Sequence, residues 1–190
     1  EHEKLSFRAK GTITTADGRE IDFKLHLKLD RKYMSEESIS IRAGDAALTD
    51  PLVINYAGPA ADLTSTKFAF DLDADGTDDN ISFVKSGSGV LTLDLNNDGI
   101  VNNGTELFGP STGDGFAELA AYDEDGNKWI DENDSVFTKL RIWTKDAEGK
   151  DVLFSLKEKD IGAIYLENIS TVFNLKDAEN KLNGQVASTG

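Results

Sequence analysis

The stretch GVLTLDLNNDGIVNNGTELFG, residues 89–109, leads from a short apolar segment directly into an acidic loop. Its opening residues, 89–93, are typical of a buried β-strand. From Asp94 onward, oxygen-bearing side chains recur at alternate positions, and Gly99 stands at position 6 of the loop. Calcium takes six to eight oxygen ligands, and loops supply them with this spacing around a turn-permitting glycine. The stretch therefore predicts a strand that enters a calcium loop.

Three such loops can be written along the chain, and we call them the first (71–79), second (94–106) and third (123–134) loops. In the second loop the closing acid falls at position 13 instead of 12, which Gly104 makes reachable. An ordinary turn rich in Asn and Gly is the alternative there. The predicted oxygen ligands are the side chains of Asp94, Asn96, Asp98, Asn102 and Glu106 and the main-chain carbonyl of Ile100.

The first loop, DLDADGTDD, has carboxylates at positions 1, 3, 5 and 9 and Gly76 at position 6. Carboxylates this close repel each other unless a cation or solvent screens them, so the alternatives are a metal site and a solvated turn. Position 12 is Ser82, so no Glu closes this loop. The predicted ligands are Asp71, Asp73, Asp75, Asp79 and the carbonyl of Thr77.

The third loop departs from the template, because Lys128 takes the place of the glycine at position 6. A left-handed backbone is unfavourable for a residue with a Cβ, so strain is expected there. Apolar spacing in 116–120 and 136–140 predicts a short helix on each side, which makes the loop EF-hand-like. A solvated helix connector is the alternative. The predicted ligands are Asp123, Asp125, Asn127, Asp131, Asp134 and the carbonyl of Trp129.

Strict alternation of apolar and polar residues predicts β structure at the amino terminus. Residues 21–30 alternate throughout, residues 5–9 do the same, and Asp17-Gly18 between them favours a tight hairpin. We therefore predict an α+β protein with an amino-terminal antiparallel β-sheet, followed by a calcium-loop region with an EF-hand-like helix-loop-helix and further short strands. The predicted divisions are 1–43 for the sheet, 44–66 for a connector and 67–190 for the calcium region.

Composition excludes several classes of function. The net charge of −15 leaves no basic surface for nucleic acid. No transmembrane segment is predicted, and the first residues are neither a secretory signal nor an initiator methionine, so we expect a mature fragment or an excised part of a longer protein. With no Cys and only two His, thiolate or zinc sites and hydrolase triads have no support. Paired carboxylates for glycoside hydrolysis stay open, although each acidic cluster fits calcium better.

The region 89–146 resembles the self-processing modules of large secreted bacterial proteins of the repeats-in-toxin (RTX) type. Glu106-Leu107-Phe108-Gly109 after the second loop and Leu140-Arg141-Ile142-Trp143 after the third carry the resemblance, which extends over about residues 50–170. The resemblance implies calcium-triggered cleavage of an Asp-Pro bond, after which the freed aspartyl end joins a lysine amine. The matching residues are Asp50 and Pro51. The family's acidic loop directly after the proline is absent here.

Three hypotheses follow for the function. The first is a calcium-binding structural or interaction module of a larger, exported bacterial protein, ordered by about three calcium ions and located outside the cell or on its surface. The second is the self-processing reaction at Asp50-Pro51. The third is adhesion to carbohydrate or a cell surface through the amino-terminal sheet. Beyond calcium, the sequence names no protein or cell-surface partner.

Overall fold

The computed structural model describes residues 2–14, 20–32, 51–57, 61–176 and 182–190 of the chain. The chain divides into two compact units, Glu1–Leu48 and Thr49–Gly190. Among the described residues, no helix has the length and apolar character that a membrane crossing requires.

The described part of the first unit is an antiparallel strand pair, β1 (His2–Thr14) and β2 (Glu20–Lys32). Phe7 lies opposite Leu27 in the ladder, and in this register the apolar positions of one strand pair with those of the other. The predicted pairing of these strands is confirmed. The predicted turn at Asp17-Gly18 lies outside the described residues.

The second unit is built mostly from short antiparallel strands. They are β3 (Val53–Asn55), β4 (Leu63–Phe70), β5 (Asp79–Val84), β6 (Ser88–Leu93), β7 (Trp129–Ile130), β8 (Leu140–Lys145), β9 (Asp151–Ser155), β10 (Ile164–Tyr165), β11 (Ile169–Lys176) and β12 (Leu182–Thr189). One α-helix, α1 (Gly115–Ala120), and two 3-10 turns, Gly104–Glu106 and Lys157–Lys159, complete the described elements.

A four-stranded sheet in the order β3-β6-β8-β9 forms the centre of this unit. Leu91 lies opposite Ile142 and packs in one apolar cluster, whereas Val90 lies opposite Trp143 and packs in another. Successive residues of a strand point to opposite faces, so β6 and β8 have a buried cluster on each side. This explains why residues 89–93 are almost continuously apolar.

Paired hairpins account for most of the other strands. The β4-β5 hairpin carries the first loop, the β11-β12 hairpin forms the tail, and the turn at 146–150 joins β8 to β9. In that turn Asp146 N donates to Lys150 O at 2.9 Å. The predicted strand at 89–93 and the further short strands expected after it are thus confirmed.

The predicted α+β class with an EF-hand-like helix-loop-helix is wrong, because the described structure is mostly β and contains a single helix. Before the third loop, Asp114 caps α1 through Ala117 N, as the sequence predicts, but the helix has only six residues. After the loop, residues 136–139 form turns, with Lys139 N donating to Val136 O at 2.8 Å. Leu140 is fully buried and begins β8. The chain therefore enters the sheet before a second helix can form.

Candidate functional site

The three acidic loops share one pattern of hydrogen bonds, centred on the carboxylate at position 1. In the first loop Asp71 Oδ1 accepts from Asp75 N at 3.0 Å, and its Oδ2 accepts from Gly76 N at 3.1 Å. In the second loop Asp94 accepts in the same way from the main-chain N of Asp98 and of Gly99, at 3.2 and 2.8 Å. The same carboxylate therefore folds the chain around itself in both loops.

In the third loop the same role falls to Asp123. Its Oδ1 accepts from Gly126 N and its Oδ2 accepts from Lys128 N, both at 2.9 Å. The bond to position 6 is thus retained although that position is occupied by lysine. The other bond differs, because Oδ1 of Asp123 accepts from position 4 and not from position 5 as in the first and second loops.

Side chains at positions 3 and 5 turn the chain a second time in every loop. The oxygen at position 3 accepts from the main-chain N of position 5, and the oxygen at position 5 accepts from the main-chain N of position 7. These short bonds are Asx turns, which Asp and Asn favour. Positions 3, 5 and 7 are Asp73, Asp75 and Thr77 in the first loop, Asn96, Asp98 and Ile100 in the second, and Asp125, Asn127 and Trp129 in the third.

Each loop has two residues with a left-handed backbone, at positions 4 and 6. The φ angles are 59° and 89° in the first loop, 59° and 78° in the second, and 71° and 69° in the third. One of the two residues is glycine in every loop, but in the third loop it is Gly126 at position 4, which leaves Lys128 with the positive φ. Lys128 therefore has the strained backbone that the sequence predicts at position 6. At position 4 the third loop is less strained than the other two, because Gly126 adopts a positive φ without steric cost.

Glu167 and Tyr165, which the sequence analysis did not identify, hold the side chain of Lys128. Lys128 Nζ forms an ion pair with Glu167 Oε1, and the Tyr165 hydroxyl donates to Glu167 Oε2 at 2.5 Å. The hydrogen bond to Glu167 raises the pKa of Lys128, and the same bond lowers the pKa of Glu167. Pairing of β7 with β10, which places Tyr165 opposite Trp129, brings this group together.

Two nearly buried carboxylates close the second and third loops in the same way. Glu106, 4% exposed, accepts from Leu95 N at 3.1 Å and from Asn102 N at 2.9 Å. Asp134, 2% exposed, accepts from Glu124 N at 2.7 Å and from Asp131 N at 2.9 Å. Both carboxylates bridge positions 2 and 9, although one is at position 13 and the other at position 12.

The first loop is more open. Among the described residues, no carboxylate bridges its positions 2 and 9, and Ser82 at position 12 lies within β5. Asp79 begins β5 opposite Phe70. The first loop therefore lacks the buried carboxylate that closes the other two.

The structure brings many of the predicted ligands together. Carboxylate oxygens of Asp71, Asp73 and Asp75 lie within 4.8 Å of one another, as do those of Asp123, Asp125 and Asp134. In the second loop Asn96 Nδ2 donates to Asp98 Oδ2 at 3.0 Å and to Asn102 Oδ1 at 2.8 Å. In the third, Asn127 Nδ2 donates to Asp131 Oδ2 at 3.4 Å.

The chemistry of these groups suits a hard cation. All predicted ligands are carboxylate, amide or main-chain oxygens, which calcium and magnesium prefer, and no His or Cys stands among them. The hydrogen bond from Ile100 N lowers the pKa of Asp98, so this carboxylate stays charged at neutral pH. Glu106 and Asp134 are buried in a way that carboxylates rarely tolerate without partners. The residues present therefore fit a hard divalent cation, a class that includes the predicted calcium.

The predicted scissile bond lies at the edge of the described structure. Asp50 lies outside the described residues, and Pro51 is half-buried. The next residue, Leu52, is anchored twice, since its N donates to Phe108 O at 2.7 Å and its O accepts from Leu91 N at 2.8 Å. The chain after Pro51 is thus fixed to the segment that leaves the second loop.

Comparison with known proteins places this geometry in a family. The chain is 34% identical to iron-regulated protein FrpA of Neisseria meningitidis serogroup C over 129 residues, which is 62% of this chain and 11% of that protein. The chain thus covers a small part of the length of this bacterial relative. The profile of the SPM domain matches residues 52–189, from the residue after Pro51 to the end of β12. Because this match covers most of the chain, the protein belongs to the SPM domain family.

Proposed function

We propose that the unit Thr49–Gly190 binds calcium in its three acidic loops and that these ions order the unit. The observation that carries the proposal is the shared closing role of Glu106 and Asp134. Burying a carboxylate costs free energy, and two hydrogen bonds from main-chain N–H groups offset only part of it. A divalent cation against the same carboxylate offsets the rest.

Repulsion within each loop supports the same conclusion. The chain has a net charge of −15, and carboxylates of the first and third loops lie within 4.8 Å of one another. At such distances like charges destabilise the folded state even when water screens them. Bound calcium reverses the sign of this contribution, so folding and ion binding are expected to be coupled.

Replacing a closing carboxylate by its amide tests this function. Glu106→Gln and Asp134→Asn keep the size of each side chain but remove its charge. One carboxylate oxygen also becomes an NH2 group, which cannot accept a hydrogen bond from a main-chain N–H. We expect each variant to lose at least roughly tenfold in calcium affinity at one loop, measured by calorimetric titration of chelator-treated protein.

The matched control for this titration is Glu132→Gln, an exposed acid in the third loop that closes nothing. Its affinities should equal those of the unaltered protein. Equal titration curves for all four proteins would contradict the assignment of Glu106 and Asp134 as ligands.

A second candidate function is calcium-triggered cleavage of the Asp50-Pro51 bond, and the anchoring of Leu52 favours it. Phe108 follows Glu106 by two residues, and its carbonyl accepts the hydrogen bond from Leu52 N. An ion held by Glu106 would therefore fix the segment that positions the chain directly after Pro51. The second loop is thus connected to the predicted scissile bond through Phe108 and Leu52.

The chemistry of this reaction needs no outside nucleophile. An oxygen of the Asp50 side chain attacks the main-chain carbonyl carbon of the same residue, and a cyclic anhydride forms as the bond to Pro51 N breaks. The proline nitrogen takes a proton from solvent and leaves as a secondary amine. Water then opens the anhydride to a free aspartate, or a lysine amine opens it to an amide and releases a proton.

The setting that fits both functions is a domain of a larger, exported bacterial protein of the RTX type. FrpA, of which the matched region is 11%, is a protein of that larger size. Loops of this kind that work outside cells bind calcium in the range of about 10⁻⁴ to 10⁻³ M. An extracellular or cell-surface location would then provide the calcium concentration that such loops need and that the cytoplasm lacks.

A further inference from the structure

The first and second loops touch each other through Gly104. This residue lies between Asn102 and Glu106, two predicted ligands of the second loop. Its main-chain N donates to the carbonyl oxygen of Asp71 at 2.9 Å. Asp71 is the residue whose carboxylate folds the first loop.

The contact at Gly104 leaves no space for a side chain. A Cβ at this position would lie 1.7 Å from Leu72 O and 2.6 Å from Leu72 C. Leu72 is 8% exposed and packs in one apolar cluster with Leu107, which follows the closing Glu106. Positions 1 and 2 of the first loop thus rest on the backbone segment that closes the second loop.

The geometry points to cooperative calcium binding by the first and second loops, transmitted through the backbone contact at Gly104. This inference rests on the proposed function. An ion in the second loop fixes Glu106 and Asn102 and therefore the segment between them. That segment presents Gly104 N to Asp71, so the first loop needs less ordering when its own ion binds. By linkage, an ion in the first loop favours the second by the same factor.

The third loop supplies an internal control. Within the described residues, no hydrogen bond joins 123–134 to either of the other two loops. Its side chains bond outside the loop to Ser135 and Glu167, and neither residue belongs to the first or second loop. Its occupancy should therefore affect the first and second loops only through the stability of the whole unit, and much less than these two loops affect each other.

The test removes the position 1 carboxylate of one loop and follows calcium binding in another. Gly76 N and Gly99 N each donate to the position 1 carboxylate of their own loop, so their amide NMR resonances report the two occupancies separately. We expect Asp94→Asn to weaken calcium binding at Gly76 at least fivefold and Asp71→Asn to weaken it equally at Gly99. Asp123→Asn should change either titration much less.

A glycine variant tests the contact itself. Gly104→Ala should make binding at Gly76 weak and independent of the second loop, because Leu72 has to move away. Gly162→Ala is the matched control, since a Cβ there meets nothing within 4 Å. If calcium shifts both reporters in the unaltered protein but Asp94→Asn leaves the Gly76 titration unchanged, the coupling is wrong and calcium binding stands. If calcium shifts neither reporter, calcium binding at these two loops is itself overturned.

Discussion

Removal of calcium is expected to lower the melting temperature of this protein by roughly 20 °C. A ligand that binds only the folded state adds about 2.7 kcal/mol to the free energy of unfolding when its concentration is 100 times its dissociation constant. Three such ions add about 8 kcal/mol, which is comparable to the whole stability of an ordinary domain. The expected loss on chelation is therefore large.

Calorimetry of the protein in excess chelator and in about 10 mM calcium, which is 100 times a dissociation constant of about 10⁻⁴ M, measures this effect. Magnesium at the same concentration is the control, because it demands a tighter octahedral geometry and keeps its waters, so it should stabilise the protein much less. Equal melting temperatures in calcium and in chelator would refute the proposal that these ions order the unit.

Replacement of Asp50 by Asn should abolish calcium-dependent cleavage of the chain. The amide oxygen of Asn is a far weaker nucleophile than a carboxylate, so the anhydride cannot form at a useful rate. Denaturing mass spectrometry after addition of calcium should show fragments that end at Asp50 and begin at Pro51 in the unaltered chain, and an intact chain in the variant.

Asp45→Asn serves as the control for this experiment, because it removes a nearby carboxylate that precedes no proline. Its cleavage should proceed at the rate of the unaltered chain. If the Asp50→Asn variant is cut at the same bond, Asp50 is not the nucleophile. If calcium produces no fragments from the unaltered chain, the second candidate function falls and the binding function remains.

The acidic loops could be predicted from the sequence because their geometry is local. Asp71 reaches Asp75 N and Gly76 N only four and five residues away, so spacing alone places the carboxylate. The β6 strand was equally readable, since both of its faces are buried and its residues are almost uniformly apolar. Local chemistry and local periodicity decide such features.

Contacts between distant segments could not be predicted. The apolar spacing at 136–140 favours a helix, but pairing of Leu140 with Leu93 in the sheet overrides it. The sequence indicates only that Lys128 occupies a position that favours glycine. Its ion pair with Glu167 could not be predicted, because the two residues are far apart along the chain. The sequence predicts only that Gly104 lets Glu106 reach the loop, whereas its contact with Leu72 is visible only in three dimensions.

The most direct test of the central claim is a count of bound ions by native mass spectrometry. The Asp50→Asn chain is the right material, because it should stay intact in calcium. After treatment with chelator and addition of calcium, we expect a dominant species with three calcium ions, and with two in the further variant Asp123→Asn. A chain that carries no calcium, or the same number of ions in both proteins, would contradict the account.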